Sequence, residues 1–385
     1  MSLNEISLHE ISFQKPIYTY ADLSTFGGQY SVANAINDAG QMIGSDTKNE
    51  SGNSHSSSKY GVQTTYAVLW DNSYYVPKTS LLADVESHAY GINNLSAIVG
   101  SSLKEVNGNF QVTATIWQDG KTNYLASLSD GLYKSSANAI NDKGVVVGNS
   151  FTGNSWDTHH ATLWNDKGVI DLGTLGGTDS NALAINNDGV IAGWASGVEP
   201  GDYTHPVIWK DGNIINLSPT HHGAADSIND SGMVVGYIFD DEMYAHPVLW
   251  NNQKETIMQS AAGSFCYASA INNKNQIVGS EISANGQFHA LLWNAPDSAP
   301  VDLNQFLDQS QRDAGWTLAN ATDINDKGWI VGSAMNTNTY ESHAFVLTAA
   351  GITGLTGVEP AQVQVIATAA PALHAASADI WSMAC

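Results

Sequence analysis

One ten-residue phrase recurs seven times along this chain of 385 residues. It reads AINDAGQMIG at 35–44, GINNLSAIVG at 91–100, AINDKGVVVG at 139–148 and AINNDGVIAG at 184–193. SINDSGMVVG follows at 227–236, AINNKNQIVG at 270–279 and DINDKGWIVG at 323–332. The first Asn of each phrase stands at 37, 93, 141, 186, 229, 272 and 325, a mean period of (325 − 37)/6 = 48 residues. That period is too long for a leucine-rich repeat and falls in the range of one β-propeller blade.

Further points are fixed in every unit. An alanine stands three residues before each Ile, from Ala33 to Ala321, and a glycine seven residues after each Asn, from Gly44 to Gly332. A second run follows: YAVLW, TATIW, HATLW, HPVIW, HPVLW, HALLW and finally HAFVL at 343–347. Six of these end in Trp (70, 117, 164, 209, 250, 293), and Leu347 takes that place in the last.

The Asn-Asp-x-Gly segment between two apolar runs predicts a tight hairpin, a type I turn followed by a left-handed residue. Gly tolerates that backbone at no steric cost. Ser96 and Asn275 are the exceptions. The flanking runs are too short for helices and carry no 3.6-residue periodicity. Four strands per unit are expected: one ending at Ile-Asn, one near the fixed Gly, one at the Trp run, and a weaker fourth such as 169–172. The fixed Ala and Gly suit strands packed around an axis, and the Trp suits a core position between blades. The fold expected is all-β, a single seven-bladed β-propeller of four-stranded blades over residues 17–350. An N-terminal extension covers 1–16 and an Ala-rich C-terminal tail covers 351–385.

Closure of the ring can also be read. ADLSTFGG at 21–28 matches IDLGTLGG at 170–177, a fourth strand with its exit loop. The chain thus begins on a fourth strand with no preceding three, and the seventh unit lacks one. Pairing 17–23 into the last unit would close the ring. The competing donor is 351–355.

These residues resemble the HAF family of probable extracellular repeat proteins, named for the His-Ala-Phe seen here at 343–345. The resemblance covers roughly residues 17–347 and rests on AIND-x-G-x-IVG and HA-x-LW recurring in order. Residues 302–304 and 315–318 also look like the family's usual lead into its final repeat. Units one and two depart, with Tyr66 and Thr113 in the His place. The resemblance implies an extracellular or cell-surface location and no established chemistry. Residues 1–15 lack an apolar h-region, so no signal peptide is read there and a cytoplasmic home stays open.

Charge narrows the partners. Lys+Arg number 14 against 37 Asp+Glu, a net charge of −23, and Arg312 is the only arginine. Phosphate contacts need many cations and base readout leans on Arg, so nucleic acid is disfavoured. No run of eighteen apolar residues occurs, so no membrane insertion is expected.

Nearly all sequence variation lies opposite the constant hairpins, in the loops joining second to third strands and blade to blade. Those loops carry the candidate ligand-binding side chains, aromatic, acidic and imidazole: Trp156, Asp157, Trp194, Asp202, Tyr203, His221, His222, Asp240, Asp241 and Tyr340. Aromatic platforms beside carboxylates can bind sugars or peptides. The function expected is therefore a non-enzymatic binding or scaffold propeller presenting this variable face to a glycan or protein partner. The alternative is a polysaccharide-active lyase or hydrolase using carboxylates and the non-repeat histidines His88, His221 and His222. His160, His205, His246, His289 and His343 hold one place in the repeat, which points to a structural hydrogen bond. No cofactor is implied. The histidine spacing matches no zinc motif, and Asp240-Asp241-Glu242 lacks the pattern of an EF-hand, so no metal is expected.

Two cysteines remain, Cys266 in a blade-to-blade loop and Cys385 at the end of the tail. A disulfide between them would stabilise by about 4 kcal/mol in the entropic model. Equally, Cys266 suits a small buried hydrophobe, and Cys385 a free, modified or intermolecularly paired thiol. Self-association through the tail is a further option.

Overall fold

In a computed structural model, residues 18–49, 63–71, 78–83, 85–129, 134–153, 158–198, 204–260 and 265–349 are described. The expectations placed on 1–16, on the tail 351–385 with Cys385, and on Trp156, Asp157, Asp202 and Tyr203 lie outside these residues. The described chain is all-β, with one short helix, Gln309–Asp313, and one 3-10 turn, Leu303–Phe306. No helix among the described residues is long and apolar enough to cross a membrane.

Each repeat forms an antiparallel sheet in simple sequential order. In the first unit the strands are Ser31–Ile36, Gln41–Asn49, Gln63–Asp71 and Lys78–Leu81. The last unit supplies Trp316–Ile324, Ile330–Asn336 and Ser342–Ala349, and its fourth strand is the N-terminal Tyr18–Ser24. Tyr18 pairs there with Ala349, and Asp22 with Phe345. The fifth and sixth units touch through one parallel pair, Ala245 with Phe265.

The turn after each repeated Asn takes the left-handed residue that the sequence predicts, from Gly40 (φ 86) through Ser96 (φ 63) and Asn275 (φ 62) to Gly328 (φ 77). Every first strand carries a bulge just after its fixed alanine, as between Ala33 and Ala35 or Ala225 and Ser227. The fixed glycine answers to that bulge rather than to packing at an axis. A Cβ on Gly44 would run into the carbonyl oxygen of Val32, and one on Gly332 into that of Asn320.

The core lies between successive units. Trp70, Trp250 and Trp293 are at most 1% exposed, and Leu347, in the same place, is 0% exposed. Trp70 packs with Val331, Ala344 and Val346 of the last unit, and Trp209 with Val147 and Ala161 of the third. Large aromatic surfaces buried at unit boundaries make neighbours depend on one another, because no unit covers its own apolar face.

A serine fastens each of four such boundaries. Ala67 donates its backbone N–H to Ser87 Oγ, Ala114 to Ser135, Ala161 to Ser180 and Ala344 to Ser31, at 2.8–3.0 Å. Where the third strand has proline (Pro206, Pro247) there is no N–H to offer. The residues facing those prolines are Gly223 and Cys266 instead of serine.

Candidate functional site

The two ends of the assembly differ chemically. At the hairpin end the seven buried Asn side chains form a closed sequence of hydrogen bonds. Asn37 Nδ2 donates to the Asn93 carbonyl, Asn93 to Asn141, Asn141 to Asn186 and Asn186 to Asn229. Asn229 then donates to Asn272, Asn272 to Asn325, and Asn325 back to Asn37. Each Oδ1 meanwhile accepts backbone N–H groups of its own turn, as Asn186 does from Asp188 and Val190.

The next residues repeat the pattern one layer out. Asp38 N–H donates to Asn94 Oδ1, Asn94 to Asp142, Asp142 to Asn187 and Asn187 to Asp230. Asp230 donates to Asn273, Asn273 to Asp326 and Asp326 to Asp38, at 2.8–2.9 Å. A shallow depression of about 170 Å³ follows these rings and the Ile layer beneath. Its polar groups are consumed by one another, so this end reads as framework.

A larger cavity, about 390 Å³, opens at the opposite, variable end. Its wall includes His159, Asp179, Trp194, His222, Phe239 and Met243. His159 enters at the start of a third strand, His159–Asn165, and Trp194 from a second strand, Ile191–Ser196. His159 Nδ1 lies 3.2 Å from Asp179 Oδ1, and its backbone N–H donates to the same oxygen at 3.1 Å. Thr178 Oγ1 donates to Asp179 Oδ2, and the Asp179 N–H donates to Ser196 Oγ. The Trp194 ring stands edge-on to His159, centroids 5.7 Å apart. Burial holds His159 below the ordinary imidazole range, Asp179 pulls it back up, and His160 opposes that.

A second group lies toward the centre. Asp226, the bulged residue of Gly223–Ile228, is half-buried, and burial pushes its carboxyl up to about 8. Burial raises Tyr237 to about 12, with Asp226 and Tyr267 adding to the rise. The Tyr237 and Tyr267 rings meet edge-to-face at 5.0 Å. His88 stacks on Tyr90 at 6.0 Å, and Ser45 Oγ lies 3.1 Å from His88 Nδ1. Asp323 is raised to about 6 by burial, opposed by the Ile36 and Ile324 N–H groups that its carboxylate accepts.

Of the residues singled out from sequence, Trp194 and His222 line the cavity. His221 does not; its Nδ1 faces Ser218 Oγ at 3.2 Å and Glu255 at 3.7 Å. Asp240 is held in its own turn, accepting from Glu242 and Tyr244 N–H and pairing with His246 Nε2 at 2.7 Å. Asp241 sits in that same exposed turn. Tyr340 is 76% exposed on the Asn336–Glu341 turn of another unit. Sequence reasoning missed His159 and Asp179. The doubled histidine at 159–160 was a signal, since only the second belongs to the repeat.

The repeat histidines do meet fixed partners. His160, His289 and His343 pair with Asp171, Asp302 and Asp22 at 2.8–2.9 Å, and His205 Nδ1 faces the carbonyls of Ser218 and His221. No group of three or more His, Cys, Asp or Glu among the described residues could hold a metal ion. Cys266 lies inside the strand Phe265–Ile271 rather than in a loop. It is 1% exposed, its thiol pushed up to about 12 by burial, with Glu281 adding to the rise.

No protein-family model and no curated protein matches the chain. Solved structures do. An acylaminoacyl peptidase of Pyrococcus horikoshii is 12% identical with a TM-score of 0.50, covering 84% of this chain and 52% of that one. The chain thus spans about half the length of that peptidase. YCF48 bound to D1 peptide is 10% identical with a TM-score of 0.46, covering 90% of this chain and 98% of that one. A gluconolactonase of Xanthomonas campestris is 9% identical with a TM-score of 0.43, covering 86% and 89%. These neighbours are β-propeller proteins, and at such identities the likeness is one of fold alone.

Proposed function

We propose that this protein is a seven-bladed β-propeller of the HAF kind, a non-enzymatic scaffold whose variable face binds a glycan or peptide. Two cyclic sequences of seven hydrogen bonds and the strand Tyr18–Ser24 completing the last sheet support the seven-bladed, N-terminally closed form. The single observation that carries the binding role is the cavity of about 390 Å³ walled by Trp194, Phe239 and Met243 beside two histidines. An apolar, aromatic concavity with a few convergent polar groups is what a ligand site requires. An extracellular or surface location belongs to the same proposal, supported by the scarcity of Lys and Arg, 14 in all.

The His159–Asp179 pair gives the alternative, polysaccharide cleavage, its one specific observation. Glycoside hydrolysis takes two carboxylates about the scissile bond. Among the described residues Asp179 is the only carboxylate in the cavity wall, and it is already engaged. Glycan and peptide arrays run beside reducing-end and unsaturated-product assays test the proposal. Capture without turnover supports the scaffold; turnover of any arrayed sugar overturns it.

A further inference from the structure

In three of the seven units the bulge position of the first strand donates to the next unit. Asn34 Nδ2 donates to the Ala89 carbonyl of the next unit at 2.7 Å, Asn138 Nδ2 to Ala182 at 2.9 Å, and Thr322 Oγ1 to Ala33 at 2.6 Å. In the fifth unit that position is Asp226, and the corresponding carbonyl is that of Ala268. When ionised, a carboxylate cannot make the bond that the amide or hydroxyl makes at this place. Among the described residues the half-buried Asp226 side chain has no hydrogen-bond partner and no cation beside it. A charge partly withdrawn from water gains from a donor, and none of the neighbouring side chains supplies one.

The surroundings fit a cationic donor. Tyr237 pairs with Ala224, two residues and about 7 Å up the strand toward the variable end. Tyr267 holds the place of Ala224 in the next unit, so the edge-to-face tyrosine pair stands one layer above the carboxyl. Aromatic faces leading to a carboxylate attract ammonium groups. Tyr90, in the Asp226 place of the second unit, is 36% exposed, so the central space reaches this depth. The net charge of −23 favours a cationic partner over the whole surface.

We propose that Asp226, with Tyr237 and Tyr267 above it, is a binding site for the ammonium group of a lysine side chain carried by a peptide. A lysine ends in a compact point charge on a flexible four-carbon stem, which can pass the tyrosine layer. An amino sugar carries its nitrogen directly on a ring and has no such stem. The site rests on the variable face being a ligand surface, and it narrows the ligand of that surface to lysine-bearing peptides.

The test uses the full chain and two hexapeptide libraries, one with lysine fixed at the centre and one with norleucine there. Hexameric glucosamine serves as the competing amine. Binders selected from the lysine library are expected to weaken at least tenfold when lysine becomes norleucine. They should weaken equally when Asp226→Asn is introduced. That variant should melt no lower than the parent, because asparagine supplies the missing donor as Asn34 and Asn138 do. Asp226→Ser, the residue found at Ser269, gives a second uncharged variant. Binders indifferent to lysine and to both variants overturn this site while leaving the scaffold proposal standing. Glucosamine binding that depends on Asp226 also overturns the peptide assignment. A blank from both libraries and from the glycan array overturns both.

Discussion

The side-chain amide of Asn325 donates to the carbonyl oxygen of Asn37, 288 residues earlier, at 2.9 Å. It is one of the contacts by which the last repeat meets the first, and six equivalent ones precede it. Asn325 is 5% exposed, and its Oδ1 also takes the N–H groups of Lys327 and Trp329. Removing such a side chain strands buried donors and a buried carbonyl together. Asn186→Ala or Asn325→Ala should each cost about 2–4 kcal/mol in urea unfolding. Asn187→Ala, in the more exposed outer layer, should cost under about 1 kcal/mol. Equal costs would contradict the structural role assigned to the inner layer.

The serine bridges make an asymmetric prediction. Ser180 Oγ accepts from Ala161 N–H and donates to the Gly173 carbonyl, at 2.8 and 2.7 Å. Ser180→Ala should lose about 1–3 kcal/mol on thermal or urea unfolding. Cys266→Ser should gain nothing, because Pro247 offers no N–H and the new hydroxyl replaces a thiol packed among Ile277, Leu291 and Trp293. A stabilised Cys266→Ser protein would show that the bridge does not depend on the donor.

Three carboxyls raised by burial set the pH response. Asp226 stands near 8, Asp46 near 7 and Asp323 near 6, against an ordinary value of 3.8. Each folded-state value lies above its unfolded one, so the folded protein holds more protons between them. Their contribution is complete below about pH 4 and lost as pH rises through about 6 to 8. Melting temperature should therefore fall from pH 5 to pH 9. Asp226→Asn should flatten that fall, by at most on the order of a few kcal/mol in stability at pH 9. Parallel curves for parent and variant would mean that Asp226 does not titrate in this range.

Much of the framework was legible because it repeats. The period placed Asn37 through Asn325 in equivalent turns, and the Trp run marked the buried boundaries. The match between 21–28 and 170–177 pointed to Tyr18–Ser24 as the strand that completes the last sheet. Contacts that cross units without repeating were invisible. His159 and Asp179 are 20 residues apart and meet only because one unit's third strand abuts the next unit's first. Asp240 looked available in sequence, yet His246, six residues on, takes its carboxylate. Cys266 looked like a loop residue but lies in a strand, and the proline opposite leaves no N–H for a serine at its place to accept.

The cavity makes the decisive measurement available. Ligands captured on glycan and peptide arrays should be titrated against the parent, Trp194→Ala and His159→Ala, with product assays on the same mixtures. A binding scaffold predicts no product from any of the three. It also predicts affinity at least about tenfold weaker in Trp194→Ala, since a buried aromatic anchor carries much of a site's binding energy. Unsaturated or reducing-end products from the parent that vanish in His159→Ala would contradict it.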